Sequence, residues 1–271
     1  MPTSRILTVV GARHVFSKLG RQSANRYSCL PPIKYAAGLS SMTTHSVPSE
    51  YLGMWRRTLL EQAGVIDTST LVLVIQTEQY HADIRMPSNR PDFKDVKSLV
   101  DCSAHQLRWL ATQQGFTGIT EINGNISQWL RDHDYQPSNG QRDIGEMTFE
   151  SEDLIVEIGI EAEYREIWKK IKDSQFNLSV NHIAGVDRHG SALPARLFTA
   201  GKQFAYVRPR SSVLPKSASF IAAIDTVKPS RELLLDWLDF EISFGEIQDK
   251  GFGKILHSTL PFREQEMMSL M

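Results

Sequence analysis

The sequence predicts a mainly β protein of two tandem antiparallel β-barrels, with a short helix in the first. Three observations carry this prediction. Short stretches of alternating apolar and polar residues recur along most of the chain, the period-2 signature of half-buried strands. Turn residues separate them, as in antiparallel barrels. Finally, the stretch Tyr51 to Tyr164 is echoed by Tyr164 to Glu264, an internal repeat that implies two copies of one domain plan.

The first unit opens with Tyr51-Leu52-Gly53-Met54-Trp55-Arg56-Arg57 and the second with Tyr164-Arg165-Glu166-Ile167-Trp168-Lys169-Lys170. Further on, Tyr80–Arg85 corresponds to Gln203–Arg208, Trp129-Leu130 to Trp237-Leu238, and Gly145-Glu146-Met147 to Gly245-Glu246-Ile247. Tyr164-Arg165-Glu166 is matched last by Phe262-Arg263-Glu264. The spacing between copies drifts, as insertions in loops joining strands allow. The expected organisation is a leader over 1–42, a first barrel over 50–163 and a second over 164–268.

In order along the chain, Leu71–Ile75 is a β-branched-rich run read as a well-buried strand. Tyr80–Arg85 alternates, and residues 86–98, with Pro87, Asn89 and Pro91, read as a loop. One helix is signalled by Ser103 as N-cap, Gln106 completing a capping box and Gly115 as the left-handed C′ residue, with Leu107, Leu110 and Ala111 on one stripe. Strands follow at Ile126–Tyr135, Ile144–Phe149 and Leu154–Ile160, with a turn at Ser138-Asn139-Gly140. The second copy offers Phe176–Ile183, Leu197–Phe198 with Gln203–Arg208, Ser219–Ile224, Leu238–Phe244 and Lys254–Thr259. Ser230–Asp236 suits either helix or strand.

The chain has 271 residues, 41% of them hydrophobic and 23% charged, with a net charge of −1. That composition belongs to a globular protein, and no apolar run is long enough to span a bilayer. Residues 1–49 carry Arg5, Arg13, Lys18, Arg21, Arg26 and Lys34 but no Asp or Glu. Such an acid-free, Ser-rich leader with interspersed apolar residues reads as a mitochondrial transit peptide, a disordered basic tail being the alternative. Initiation at Met42 would give a leaderless cytoplasmic form. The remaining body is acidic, which argues against sequence-independent nucleic-acid binding. Of the two cysteines, Cys29 and Cys102, only the second lies in the body, where a semi-buried inert thiol is favoured over a nucleophile.

Gly53-Met54-Trp55, a G-x-W triplet where a first barrel strand begins, resembles the calycin group that includes lipocalins. With the duplication, the chain looks like an uncharacterised two-barrel, lipocalin-like family of fungi and bacteria, over about Tyr51 to Glu264. The resemblance implies a barrel whose Trp closes one end under a crossing Arg, and a ligand cavity rather than an activity. The second copy has Glu166 where the Gly belongs.

Chemistry would live on inward faces. In an eight-stranded barrel alternate residues line the lumen, so His81, Asp83 and Arg85 would together offer an imidazole, a carboxylate and an anion-binding guanidinium. The opposite parity, with Tyr80, Ala82 and Ile84 inward, is the alternative. The aligned Phe204 and Tyr206, on one face with Arg208, are bulky aromatics more natural inside a barrel, which brings the two parities to an even balance. A second row, Trp129, Arg131, His133 and Tyr135, could stack on and hydrogen-bond a ligand, and reads equally as an exposed edge with Trp129 half buried.

No metal is expected. Asp132-His133-Asp134 cannot converge without a bulge, and His182 and His189 read as solvated loop residues. Phosphate-loop, nucleophile-elbow, zincin and dinucleotide motifs are absent from the sequence, and no cofactor is implied. The leading reading is therefore a binding protein for a partly apolar, carboxylate-bearing small molecule. Two alternatives stand beside it: packed barrels that serve as a protein-interaction module, and a cofactor-free isomerase, cyclase or hydratase. In the enzyme, His81 or His133 would carry protons, Asp83 would orient it and Arg85 would stabilise negative charge.

Overall fold

In a computed structural model, which describes residues 46–270, the chain forms one closed barrel and one curled, open sheet sharing a core. The leader, Cys29 and Met42 lie outside the described residues. Strand β1 (Gly53–Gln62) carries a short hairpin partner β2 (Val65–Asp67) and pairs with β3 (Leu71–Gln76). The antiparallel order continues through β4 (Tyr80–Met86), β5 (Gln114–Asn123), β6 (Ile126–Asp134), β7 (Asp143–Ser151), β8 (Leu154–Gly159) and β9 (Arg165–Lys170). β9 then pairs with β1, so β1 and β3–β9 make a closed eight-stranded barrel.

The Gly of the G-x-W triplet is required by its backbone. Gly53 has φ 120°, and a Cβ there would meet Ser174 Oγ at 2.8 Å, a conformation that L side chains rarely adopt. Ser174 Oγ instead accepts from Met54 N–H at 2.8 Å. No such turn is needed at Glu166, which lies inside a regular strand.

The second sheet is not a closed barrel. It runs β10 (Ser179–Val186), β11 (Ala192–Ala200), β12 (Gln203–Arg208), β13 (Glu241–Ile247), β14 (Phe252–Ser258), β15 (Met267–Ser269), with β10 and β15 as free edges. The chain between β12 and β13, which could have supplied further strands, forms two helices. Ser219 caps α2 (Phe220–Val227), replacing the expected strand at Ser219–Ile224, and Ser230 caps α3 (Arg231–Leu238). The expected boundary at 163/164 falls just before β9, which belongs to the first sheet.

Helix α1 (Ala104–Leu110) has the full capping box, Ser103 and Gln106 each bonding the other's backbone. Gly115 does not end it. It sits in β5, where a Cβ would meet Asp83 O and Ile242 Cδ1, each at 2.6 Å. This is where the barrel and second sheet touch. Ile75, Ala82 and Ile84 on the outer face of the barrel pack with Phe198, Val207, Ile242 and Phe244 of the second sheet in one core. Asp239, Glu241 and Ser243, the polar alternates of the strand read over Leu238–Phe244, are also buried. There Arg208 bonds Asp239 and Arg263 bonds Glu241.

Candidate functional site

Alternation along the barrel strands turns one row from each into the lumen, and those rows enclose a cavity of about 1180 Å³. The closed end is apolar: Trp55 and Trp168 pack with Tyr51, Met147, Ile155 and the half-buried Trp129. Trp55 donates from Nε1 to Tyr51 O at 2.7 Å, and the Lys170 ammonium lies 4.6 Å from the Trp55 ring centroid. A lysine thus takes the place across the tryptophan where the resemblance implied an arginine. Towards the mouth, lined by Pro87, Gln136 and Arg210 among others, the lumen becomes charged.

His81, Asp83 and Arg85 all line this cavity. Burial pushes the Asp83 carboxyl up to about 6, against the opposing pull of Arg85. The Arg85 Nε–H lies 3.1 Å from both Asp83 carboxylate oxygens. Its terminal nitrogens form no hydrogen bond, and Nη1 makes only a long ion pair, 4.0 Å from Glu166 Oε1. Arg85 therefore presents two free donors in the fork geometry that suits a carboxylate.

His81 is fully buried. Burial first, then the positive charges of Arg131 and Arg196, push its imidazole down to about 3, so it is neutral near pH 7. Its tautomer follows from its neighbours. The Gln76 amide N–H groups go to Thr77 O and Tyr80 O, and Gln76 Oε1 accepts the Thr120 hydroxyl at 2.7 Å. Having given its only proton away, Thr120 Oγ1 accepts from His81 Nδ1 at 3.0 Å. His81 Nε2 is left as a bare lone pair, buried and without a partner.

The second predicted row is split by a bulge. Between the pairs Gly118–Arg131 and Thr117–His133, Asp132 is the extra residue, and one extra residue reverses the facing of all that follow. Trp129 and Arg131 line the lumen, where Arg131 stacks 3.7 Å from the Phe116 ring centroid and pairs with Asp134 at 2.8 Å and Asp143 at 2.5 Å. His133 turns away from it. Tyr135 is buried in the shared core, stacked on Phe240 and donating to Leu110 O at 3.0 Å. The bulge also explains Asp132-His133-Asp134: Asp132 pairs with Arg196 and Asp134 with Arg131, so the three serve separate structural ends.

Phe204 and Tyr206 lie in the second sheet, packed with Ala195, Leu197 and Ile255 in an apolar cluster. Arg208 Nη2 bonds Asp239 Oδ1 at 2.6 Å. The aligned trio thus fills an interior rather than lining one. His182 meets the Tyr80 ring edge-on while His189 bonds Asp236. Cys102 is buried, and that burial pushes its thiol up to about 11.

Sequence reasoning missed most of the lumen's charge. Arg57 Nη1 bonds Glu166 Oε1 at 2.6 Å, both nearly inaccessible. Glu157, cross-strand from Glu166, accepts from Tyr164 Oη at 2.7 Å and Trp168 Nε1 at 2.9 Å. Burial, and then the neighbouring Glu166 charge, hold the Glu157 carboxyl well above the usual carboxylate range. The signal was available: Arg57 is two residues after Trp55, Glu166 two before Trp168, and Glu157 two after Ile155.

No protein family and no curated protein matches this sequence. Among solved structures, the crystal structure of an uncharacterized protein from Saccharomyces cerevisiae is similar, with a TM-score of 0.44 and 13% identity over 76% of this chain and 84% of that one. Among the described residues no helix is long and apolar enough to cross a membrane.

Proposed function

We propose that this is a small-molecule-binding protein built on a lipocalin-like barrel, holding a partly apolar carboxylate inside the closed barrel. The observation that carries the reading is the pair of unused Arg85 donors in a lumen whose other end is walled by tryptophans. With Glu157 holding a proton, Arg57 answers Glu166, and Arg131 answers Asp134 and Asp143. Arg85 is tied to Asp83 through Nε alone, leaving its fork for the ligand's carboxylate. The apolar body would lie against Trp129 and Trp55, where burial of ring surface supplies affinity.

Native mass spectrometry of the full chain purified from a eukaryotic host, compared with its denatured mass, tests this. A mass lost on denaturation, and depleted in Arg85→Ala and Trp129→Ala, supports the reading; an adduct retained by both variants places the ligand elsewhere. The basic leader supports delivery to mitochondria, with a cytoplasmic form from Met42. A fluorescent fusion to residues 1–42 that stays in the cytoplasm would remove that part of the proposal.

A further inference from the structure

His81 Nε2 and the Arg85 fork belong to one strand and both line the cavity, but they sit at opposite levels of it. β4 runs from the closed end, where His81 pairs with Gln76 and Gly118, to the mouth, where Arg85 pairs with Val72 and Gln114. Four residues of strand separate them, a span of about 13 Å at the usual strand rise. Arg131 pairs with Gly118, the partner of His81, and Trp129 pairs with Thr120, whose hydroxyl meets the imidazole.

A buried acceptor with no partner is costly, and here the neighbours enforce rather than relieve it. Gln76 and Thr120 spend their own hydrogen bonds fixing the proton on Nδ1. Thr120, the partner of Nδ1, lies on β5, and His81 is among the residues that line the cavity. Nothing else in the barrel donates to it. A ring that served only as packing would not need its tautomer set.

We infer that His81 Nε2 is a specificity site for a hydrogen-bond donor, a hydroxyl or N–H, at the far end of an elongated carboxylate whose head group is held by Arg85. This rests on the lumen-binding reading above and narrows it: the ligand is polar at both ends, its chain running past Asp83, with Trp129 near its donor end. The donor end donates a hydrogen bond to the Nε2 lone pair and keeps its proton, so the imidazole stays neutral. Lipids that end in a methyl group would leave the lone pair unpaired and bind more weakly.

The test uses the full chain and two probes, dodecanoate and ω-hydroxydodecanoate, titrated by calorimetry at pH 7. The expected result is tighter binding of the hydroxy acid by tenfold or more, with that preference lost in His81→Phe while dodecanoate binding persists. Thr120→Val, which removes the acceptor for Nδ1–H, should erode the preference too. Nitrogen NMR gives a measure independent of folding in the variants: wild-type His81 should be the Nδ1–H tautomer throughout pH 5 to 9, with its Nε2 signal shifting when the hydroxy acid is added. Equal affinity for the two acids, or an Nε2–H tautomer, overturns the specificity site and leaves the binding reading standing. Binding of neither acid overturns both.

Discussion

The Arg85 Nε–H lies 3.1 Å from both carboxylate oxygens of Asp83, two residues earlier on the same strand. Neighbours at i and i+2 share a face, so this contact holds the guanidinium within the barrel. It also leaves a buried carboxylate whose proton affinity is raised.

The lumen should write opposing pH dependences into stability. Asp83 rises from 3.8 to about 6 on folding, so the native state holds the extra proton and Asp83's contribution falls as pH climbs through that window. His81 drops from 6.5 to about 3, so its contribution grows with pH there and is lost on acidification. Each amounts to a few kcal/mol, at about 1.4 kcal/mol per pKa unit. Urea unfolding at stepped pH should show the wild-type minus Asp83→Asn difference falling from pH 4 to 6, and the wild-type minus His81→Gln difference rising. Parallel curves would refute both assignments.

Arg57→Met should cost about 3–5 kcal/mol, because it strands a buried Glu166 carboxylate beside Glu157. Adding Glu166→Gln should recover most of that loss. A double variant no more stable than Arg57→Met would mean that lost packing, not unpaired charge, is responsible.

Gly115→Ala pushes a methyl into Asp83 O and Ile242 Cδ1, overpacking the seam between barrel and sheet at about 1–3 kcal/mol. Calorimetric melting should register it as a lower midpoint. An unchanged midpoint would show that the two sheets are less tightly apposed at this seam.

Ser103→Ala removes one half of the capping box on α1 and should cost about 1 kcal/mol. Ser103→Asp, which keeps an acceptor, should hold near wild-type stability in the same denaturation series.

The helix and the G-x-W start were legible because each depends on residues close in sequence, whereas the inward facing of His81, Asp83 and Arg85 was evenly balanced against its opposite until the barrel closed. β5 was not seen at all. Its Gly115 and Gly118 look like turn residues, yet Gly118 is there because a Cβ would strike Leu130 O at 1.9 Å. The row from Trp129 to Tyr135 failed at a single bulged residue, Asp132, which no alternation pattern announces. Tyr164–Trp168 was read as the opening of a second copy when it is the strand that closes the first barrel.

By itself, the sequence determined what periodicity and short-range chemistry can encode: a mainly β chain, the capped helix, the Gly53 turn, and which side of β4 carries its polar groups. Tertiary structure alone decided that β9 meets β1, that six strands with two helices stay open, and that Arg57, Glu157 and Glu166 gather around one lumen. Those outcomes depend on pairings between residues about a hundred positions apart. The free energy of such pairings comes from a shared buried interior, which no local stretch of sequence contains.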